Sequence, residues 1–142
     1  MLGAKDRKAN KITAKVLEDT TKPTVQESIN DTCSENAEIF SDEHSSYEGL
    51  TNHTSVNHSR KQWAVSTAPG ELAHTNGIES FWAVLKRAYH GTDHHLSEKH
   101  LNRYVTQFAG KHNLRHYDTI DQMAMVVRGM VGKRLKHKDL IA

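Results

Sequence analysis

Two carboxylates lie at positions in this sequence where divalent metal ions could be held. Residues Ala37 to Asp42 read as a short strand that ends in an acid. Glu79 follows 37 residues later, near the start of a predicted helix. Hard cations prefer oxygen ligands that converge from rigid elements, and two such ions can act on the attacking and leaving oxygens of one reaction. The pattern therefore indicates a metal site built from Asp42 and Glu79.

The helix that carries Glu79 is predicted by a regular apolar stripe. The stripe recurs at the spacing of one helical face, and its members are Ile78, Phe81, Trp82, Leu85 and Tyr89. Asn76 is the predicted N-cap, and Glu79, three residues later, completes a variant of the capping box. The carboxylate would then lie in the first turn, where the helix dipole favours negative charge.

A cationic strip extends along the same helix below Glu79. Lys86 lies two turns further on at nearly the same azimuth, with Arg87 and His90 beside it. An acid above cations suits a metal-dependent reaction on a phosphate ester. The alternative interpretation is a solvated Glu/Lys surface, which is common on exposed helix faces.

Several spaced motifs, taken together, resemble a known family. They are Ser41-Asp42-Glu43, Tyr47, His58, the block from His74 to Trp82, Leu85-Lys86-Arg87, Tyr89-His90-Gly91-Thr92, His94-His95 and Leu101-Asn102-Arg103-Tyr104. With these motifs the chain resembles the DDE-type transposases of bacterial insertion sequences, and within them the ISXO-type group. The likeness extends from Gly3 to Leu135.

This resemblance implies a fold, an activity and a set of site residues. The expected fold is α/β, with a ribonuclease-H-like (integrase-type) core that is N-terminally incomplete and is followed by C-terminal helices. The implied activity is cleavage and joining of DNA strands at transposon ends with Mg²⁺ or Mn²⁺. Asp42 matches the second catalytic aspartate, either Asn76 or Glu79 matches the third position, and Lys86 matches the basic residue after it.

The family's first aspartate has no counterpart here, because its strand would precede the Gly3 to Arg7 stretch. We therefore expect a truncated transposase with weakened metal binding and no strand transfer of its own. Asp6, Glu18 and Asp19 are the acids near the start of the chain that could substitute for this ligand. Two further hypotheses are a non-catalytic DNA-binding or dimerisation remnant and a poorly folded remnant with an exposed sheet edge.

Charge is distributed unevenly along the chain. Residues 1–85 carry 8 basic and 12 acidic side chains, a net of −4, whereas residues 86–142 carry 11 and 5, a net of +6. A basic surface beside a carboxylate site suits DNA, because each neutralised phosphate releases condensed counterions. The candidate DNA contacts are Lys86, Arg87, Arg103, Lys111, Arg115, Lys133 and Arg134. The expected partners are transposon-end and target DNA, and a second copy or an intact transposase.

The elements that must position these residues change character near residue 75. We expect one partial catalytic domain over residues 1–142, with a mixed α/β part at 1–74 carrying Asp42 and a helical basic part at 75–142 carrying Glu79. Predicted elements of the first part are strands at Ile12–Leu17 and Ala37–Asp42, a helix from Thr24 to Cys33, and extended pieces at Ser55–His58 and Gln62–Val65. Predicted helices of the second part begin near Asn76, Ser97 and Thr119; the last should bury Ile120, Met123, Ala124 and Val127.

Composition excludes several classes of protein. The single cysteine, Cys33, cannot form an internal disulfide and is expected to be a small buried group. Apolar runs are too short for a membrane span, and the first residues do not form a signal sequence, so a cytoplasmic location is expected. The 11 histidines lack the cysteine partners of a structural zinc site. Trp63 and Trp82 are expected in the core.

Overall fold

The computed structural model describes residues 1–57, 64–68 and 71–141, which form short strands followed by helices. This arrangement confirms the predicted mixed α/β class. In chain order the elements are β1 (Leu2–Asp6), β2 (Lys11–Lys15), α1 (Lys22–Thr32), β3 (Ile39–Ser41), β4 (His53–Ser55), β5 (Val65–Ala68), β6 (Glu71–Ala73), α2 (Asn76–Ala88), α3 (Leu101–Leu114), α4 (Thr119–Met130) and α5 (His137–Ile141). The predictions for His58, Gln62 and Trp63 concern residues outside the described ranges.

Strands β1 and β2 form an antiparallel hairpin, with Leu2 opposite Lys15 and Asp6 opposite Lys11. The turn is built by Asp6, whose Oδ1 accepts hydrogen bonds from the backbone of Lys8 at 2.8 Å and Ala9 at 2.9 Å. Hydrogen bonds from an aspartate side chain to the backbone two and three residues later stabilise a turn, and here they reverse the chain. The predicted strand at Ile12–Leu17 corresponds to β2, whereas β1 was not predicted.

Strands β3 and β4 pair in parallel, with Ile39 opposite His53 and Ser41 opposite Ser55. The connection between them, residues 42–52, contains a 3₁₀ turn at Ser45–Tyr47. Strands β5 and β6 form a further antiparallel pair. Over the described ranges the six strands thus make three separate two-stranded sheets, and the ribonuclease-H-like arrangement stays a prediction.

The core forms where α2 and α3 pack on the hairpin. Ile12, Phe81 and Ala109 are its buried centre, with exposed fractions of 2, 2 and 6%. Trp82 packs around this centre as predicted and also covers Gly3 of β1. A Cβ atom at Gly3 would lie 2.6 Å from Trp82 Cζ2, so only glycine permits the helix to approach the strand this closely.

Helix α3 is joined to β2 by the side-chain amide of Asn113. Its Oδ1 accepts from the backbone N–H of Ile12 at 2.7 Å, and its Nδ2 donates to the Ile12 carbonyl at 2.9 Å. The amide therefore satisfies both polar groups that a neighbouring strand would satisfy. A weaker contact of 3.4 Å joins Asn102 Oδ1 to the Val16 N–H. Together these side chains cover a sheet edge that would otherwise be open to association.

Helix α4 corrects one of the sequence predictions. It begins at Thr119 as expected, but three of the four residues predicted to be buried are largely exposed: Ile120 at 79%, Met123 at 64% and Val127 at 60%. Ala124 is only partly buried. The helix start is well formed, because Asp118 accepts hydrogen bonds from Ile120 and Asp121. The apolar stripe is real, yet no other described element packs extensively on it.

Two local predictions on helix boundaries also differ from the structure. Helix α1 begins at Lys22 with Thr21 as N-cap, earlier than the expected capping box at Thr24. Cys33 follows the last turn and is partly exposed, not buried in the helix, and desolvation raises the pKa of its thiol. Among the helices of the described ranges, none combines the length and apolar character that crossing a bilayer requires.

Replacing Asn113 with alanine should destabilise the fold by about 1–3 kcal/mol, because the Ile12 N–H and carbonyl would lose their partners in a partly buried position. Chemical denaturation of the variant and the parent measures this loss. Asn102→Ala is the matched control, since it removes a longer and exposed contact and should cost about 0.5 kcal/mol or less. Equal losses in the two variants would show that the Asn113 amide does not hold α3 to the hairpin.

Candidate active site and basic face

Asp42 directly follows β3, at the carboxyl end of a strand, as the sequence predicts. Its side chain is exposed, and Oδ1 accepts a hydrogen bond of 3.2 Å from the His44 N–H. This bond turns the chain away from the strand and leads into the 3₁₀ turn at Ser45–Tyr47. Asp42 is therefore presented to solvent from a rigid support.

A shallow depression surrounds Asp42. Its lining comes from three segments of the first 47 residues: Met1, Leu2, Leu17, Thr20, Val25, Asp42, His44, Ser46 and Tyr47. Burial raises the pKa of the Tyr47 phenol, and the negative charge of Asp42 raises it further. The ionisation of the phenol therefore depends on the charge of Asp42, and Tyr47, one of the motif residues, lines the same depression.

The backbone next to Asp42 is fixed by a polar pair between the two parallel strands. Ser41 Oγ lies 2.7 Å from His53 Nε2 and donates to the Asp42 carbonyl, also at 2.7 Å. The hydroxyl proton is then used, so the imidazole Nε2–H donates to Ser41 Oγ. Burial lowers the pKa of His53 and so favours the neutral ring, in which Nε2 carries the proton.

Glu79 lies in the first turn of α2, where the sequence places it. The Thr75 hydroxyl donates to its Oε1. Thr75 is the N-cap, 8% exposed, so the predicted N-cap at Asn76 is wrong by one residue, and Asn76 itself is the exposed first helical residue. The Thr75 side chain makes no capping hydrogen bond to the helix backbone. Its hydroxyl restrains the Glu79 carboxylate instead.

Arg7 connects the segments that carry the two acids. Its guanidinium carbon lies 5.2 Å from the centroid of Phe40, two residues before Asp42. Its Nη2 lies 3.3 Å from Nε2 of His74, five residues before Glu79. Both contacts are charge-assisted or cation–π interactions of a single side chain. Sequence reasoning missed this role, because Arg7 lies in a polar run and both of its contacts are distant along the chain.

The metal site itself stays a prediction. Asp42 and Glu79 occupy the supports that were expected, a strand end and a helix start. In the portions of the chain that the structure describes, no three His, Cys, Asp or Glu side chains converge on one point. The substitutes considered from sequence do not change this: Asp6 builds the hairpin turn, and Asp19 accepts from Thr21.

The predicted DNA contacts are all exposed. Lys86 and Arg87 lie in the last turn of α2, and Lys111 and Arg115 lie at the end of α3, where positive charge is favoured by the helix dipole. Arg103 lies in the first turn of α3, and Lys133 and Arg134 lie between α4 and α5. Two of these side chains have local contacts: Lys111 Nζ lies 5.4 Å from the Phe108 ring centroid, and Arg115 Nη1 donates to the His112 carbonyl at 2.6 Å.

Comparison with known families assigns the chain to a class of protein. Residues 1–113 match the model of the ISXO2-like transposase domain, a class of DDE transposase. The match spans most of the chain, so the protein belongs to the ISXO2-like transposase domain family. This confirms the resemblance drawn from the motifs; α4 and α5 lie beyond the matched residues. No curated protein and no solved structure matches the chain.

Replacing Asp42 with asparagine should lower the pKa of Tyr47, because a nearby negative charge opposes ionisation of the phenol. The pKa should stay above the ordinary 10.0, since burial is the larger cause. Titration of tyrosinate absorbance, with Tyr47→Phe to identify the signal, measures the shift. Glu43→Gln is the control for loss of a neighbouring charge. An unchanged Tyr47 pKa in the Asp42 variant would show that the Asp42 carboxylate does not lie close to the Tyr47 phenol.

Proposed function

We propose that this transposase domain binds DNA at transposon ends and takes part in metal-dependent cleavage and transfer of DNA strands. The supporting observation is that a family match over residues 1–113 coincides with two exposed carboxylates on a strand end and a helix start. The proposal includes a ribonuclease-H-like arrangement of one catalytic domain, to which residues 1–74 contribute Asp42 and residues 75–142 contribute Glu79.

The chemistry of these two side chains fits Mg²⁺ or Mn²⁺. Carboxylate oxygens are hard ligands, and Mg²⁺ is commonly held by one or two carboxylates while waters and substrate phosphates complete its shell. Asp42 and Glu79 are both exposed, so a cation can reach both carboxylates from solvent. When bound, the ions would polarise a phosphodiester and lower the pKa of an attacking hydroxyl.

The other residues would orient and restrain. Thr75 holds the Glu79 carboxylate through its hydroxyl, which limits the rotamers of that acid. Arg7 contacts Phe40 and His74 and so restrains the chain segments that precede Asp42 and Glu79. Lys86 and Arg87 would bind phosphates of the substrate strand, which neutralises charge and fixes register without reading sequence. Asn76 is the alternative to Glu79 as third catalytic residue.

A second candidate function is DNA binding without catalysis, as an inhibitor that competes with an intact transposase for its ends. The favouring observation is the charge distribution: the predicted contacts on α2 and α3 and after α4 are exposed in the basic half of the chain. Phosphate contacts account for most nonspecific affinity and need no metal. The two candidate functions are distinguished by whether Asp42 and Glu79 together bind a divalent metal ion.

Paramagnetic Mn²⁺ tests the shared metal site. Because Mn²⁺ broadens NMR signals of nearby nuclei, binding by both acids should weaken the amide signals of His44 and Ile78 at the same low Mn²⁺ concentration. Asp42→Asn and Glu79→Gln should each abolish broadening at both reporters, since a divalent ion held by two carboxylates is lost when one is removed.

Glu35→Gln is the matched control for this experiment, as it removes an exposed acid on the loop before β3. It should leave broadening at both reporters unchanged. Broadening at His44 alone, or loss at only one reporter in each variant, would mean that Asp42 and Glu79 do not share a metal.

Replacing Lys86 and Arg87 together by alanine should weaken binding to duplex DNA and lower the slope of log K against log salt by up to ~2, about one unit for each lost phosphate contact. Fluorescence anisotropy over a salt series measures both quantities. The double variant Lys8→Ala and Lys11→Ala removes two exposed lysines from the hairpin and should leave the slope unchanged. Equal slopes in the parent and the Lys86/Arg87 variant would place the DNA on another face.

A further inference from the structure

Helix α4 presents an apolar face that nothing in the described chain covers. Four of its side chains recur at i, i+3, i+7 and i+10, and they are Ile120, Met123, Val127 and Met130, with exposed fractions of 79, 64, 60 and 64%. This is the alternating three-and-four spacing with which helices pair along a common seam. We call these four residues the α4 stripe. A single exposed apolar residue needs no explanation, but a continuous stripe indicates an interface.

The helix is well formed even without tertiary support. Asp118 caps it by accepting from Ile120 N–H at 2.8 Å and Asp121 N–H at 3.0 Å, and Gln122 Nε2 donates to the Tyr117 carbonyl at 2.8 Å. The hydrogen bonds from Asp121 and Ile120 lower the pKa of Asp118. A helix of 12 residues is marginal in water without packing. The cap therefore supports a helix whose apolar face has no extensive packing among the described residues.

We propose that the partner is a second copy of this chain and that the two α4 helices pair antiparallel. In such a pair, a two-fold axis crosses the seam at the level of residue 125, midway along the α4 stripe, and residues equally far from that level on the two copies meet. Ile120 then faces Met130 of the second copy, and Met123 faces Val127. The α4 stripe is thus complementary to itself, which is the requirement for an isologous interface.

Charge favours the antiparallel orientation. The N-terminal end of α4 carries Asp118 and Asp121, whereas Arg128 lies in its last turn and Lys133 and Arg134 follow it. Antiparallel pairing places the acidic end of one copy beside the basic end of the other and opposes the helix dipoles. A parallel pair would place the basic ends together. The antiparallel orientation is therefore favoured both by attraction between unlike ends and by the repulsion between like ends that a parallel pair would create.

Gly129 offers a control position on α4 away from the α4 stripe. Gly129 lies on the far side, and a Cβ atom built there meets nothing within 4 Å. Substitutions at this position test the effect of a new side chain on the same helix without touching the seam. The proposed pairing also lies outside residues 1–113, so it adds an element that the family match does not include.

Sedimentation equilibrium over a wide concentration range tests the proposal on the full chain. The parent should show a concentration-dependent dimer. Met123→Glu should raise its dissociation constant by at least about tenfold, because a charge would be buried in the seam. Gly129→Glu, which adds the same charge on the far side, should leave it unchanged. A parent that is monomeric at the highest soluble concentration, or a Met123 variant that dimerises normally, would overturn the proposal.

Cross-linking tests the orientation independently of any loss of folding. In a Cys33→Ala background, one tagged chain carries Met123→Cys and an untagged chain carries Val127→Cys. After mixing and mild oxidation, an antiparallel pair should give mainly the disulfide between the two different chains. Products linking like chains would indicate a parallel pair, and absence of cross-linking in a dimeric sample would indicate another surface; either result would overturn the proposal.

Discussion

The two hydrogen bonds between the Asn113 amide and the backbone of Ile12 determine how the helical half meets the strands. The residues are 101 apart in sequence, so this contact closes most of the chain into one unit. Ile12 also packs with Phe81 and Ala109 in the buried centre. Polar satisfaction and apolar burial therefore act on the same residue, and α2 takes its position from both. Because Glu79 lies on α2, the site depends on a contact made far from it.

The two acids of the candidate site lie on different secondary-structure elements, and different interactions restrain each element. Asp42 takes its position from the parallel pair of β3 and β4 and from the Ser41–His53 contact. Glu79 takes its position from the packing of α2 and from Thr75. Arg7, at the end of β1, contacts the approaches to both. One cationic side chain therefore contacts both chain segments that lead to the two acids.

How much the sequence could predict depended on the range of the interaction that decides each feature. Helix α2 was predictable because Phe81 and Leu85 lie on one face, a local signal that the structure reproduces. Strand β1 was missed, since Gly3 and Lys5 carry no strand pattern and β1 exists by pairing with β2. The Thr75 cap differed from Asn76 by one residue because both residue types cap helices. The burial of α4 was wrong for a different reason: periodicity shows that a face is apolar, not which molecule covers it.

The parallel pairing of β3 and β4 has a consequence for the lengths of chain that this domain can tolerate. Parallel neighbours need a crossover of a dozen or so residues, because the chain must return to the starting edge. Residues 42–52 are close to that minimum, and Asp42 is the first of them. Surface loops ordinarily tolerate both insertions and deletions. This one can accept insertions after Asp42, but even a short deletion would pull the acid off the end of its strand or slip the register of the pair.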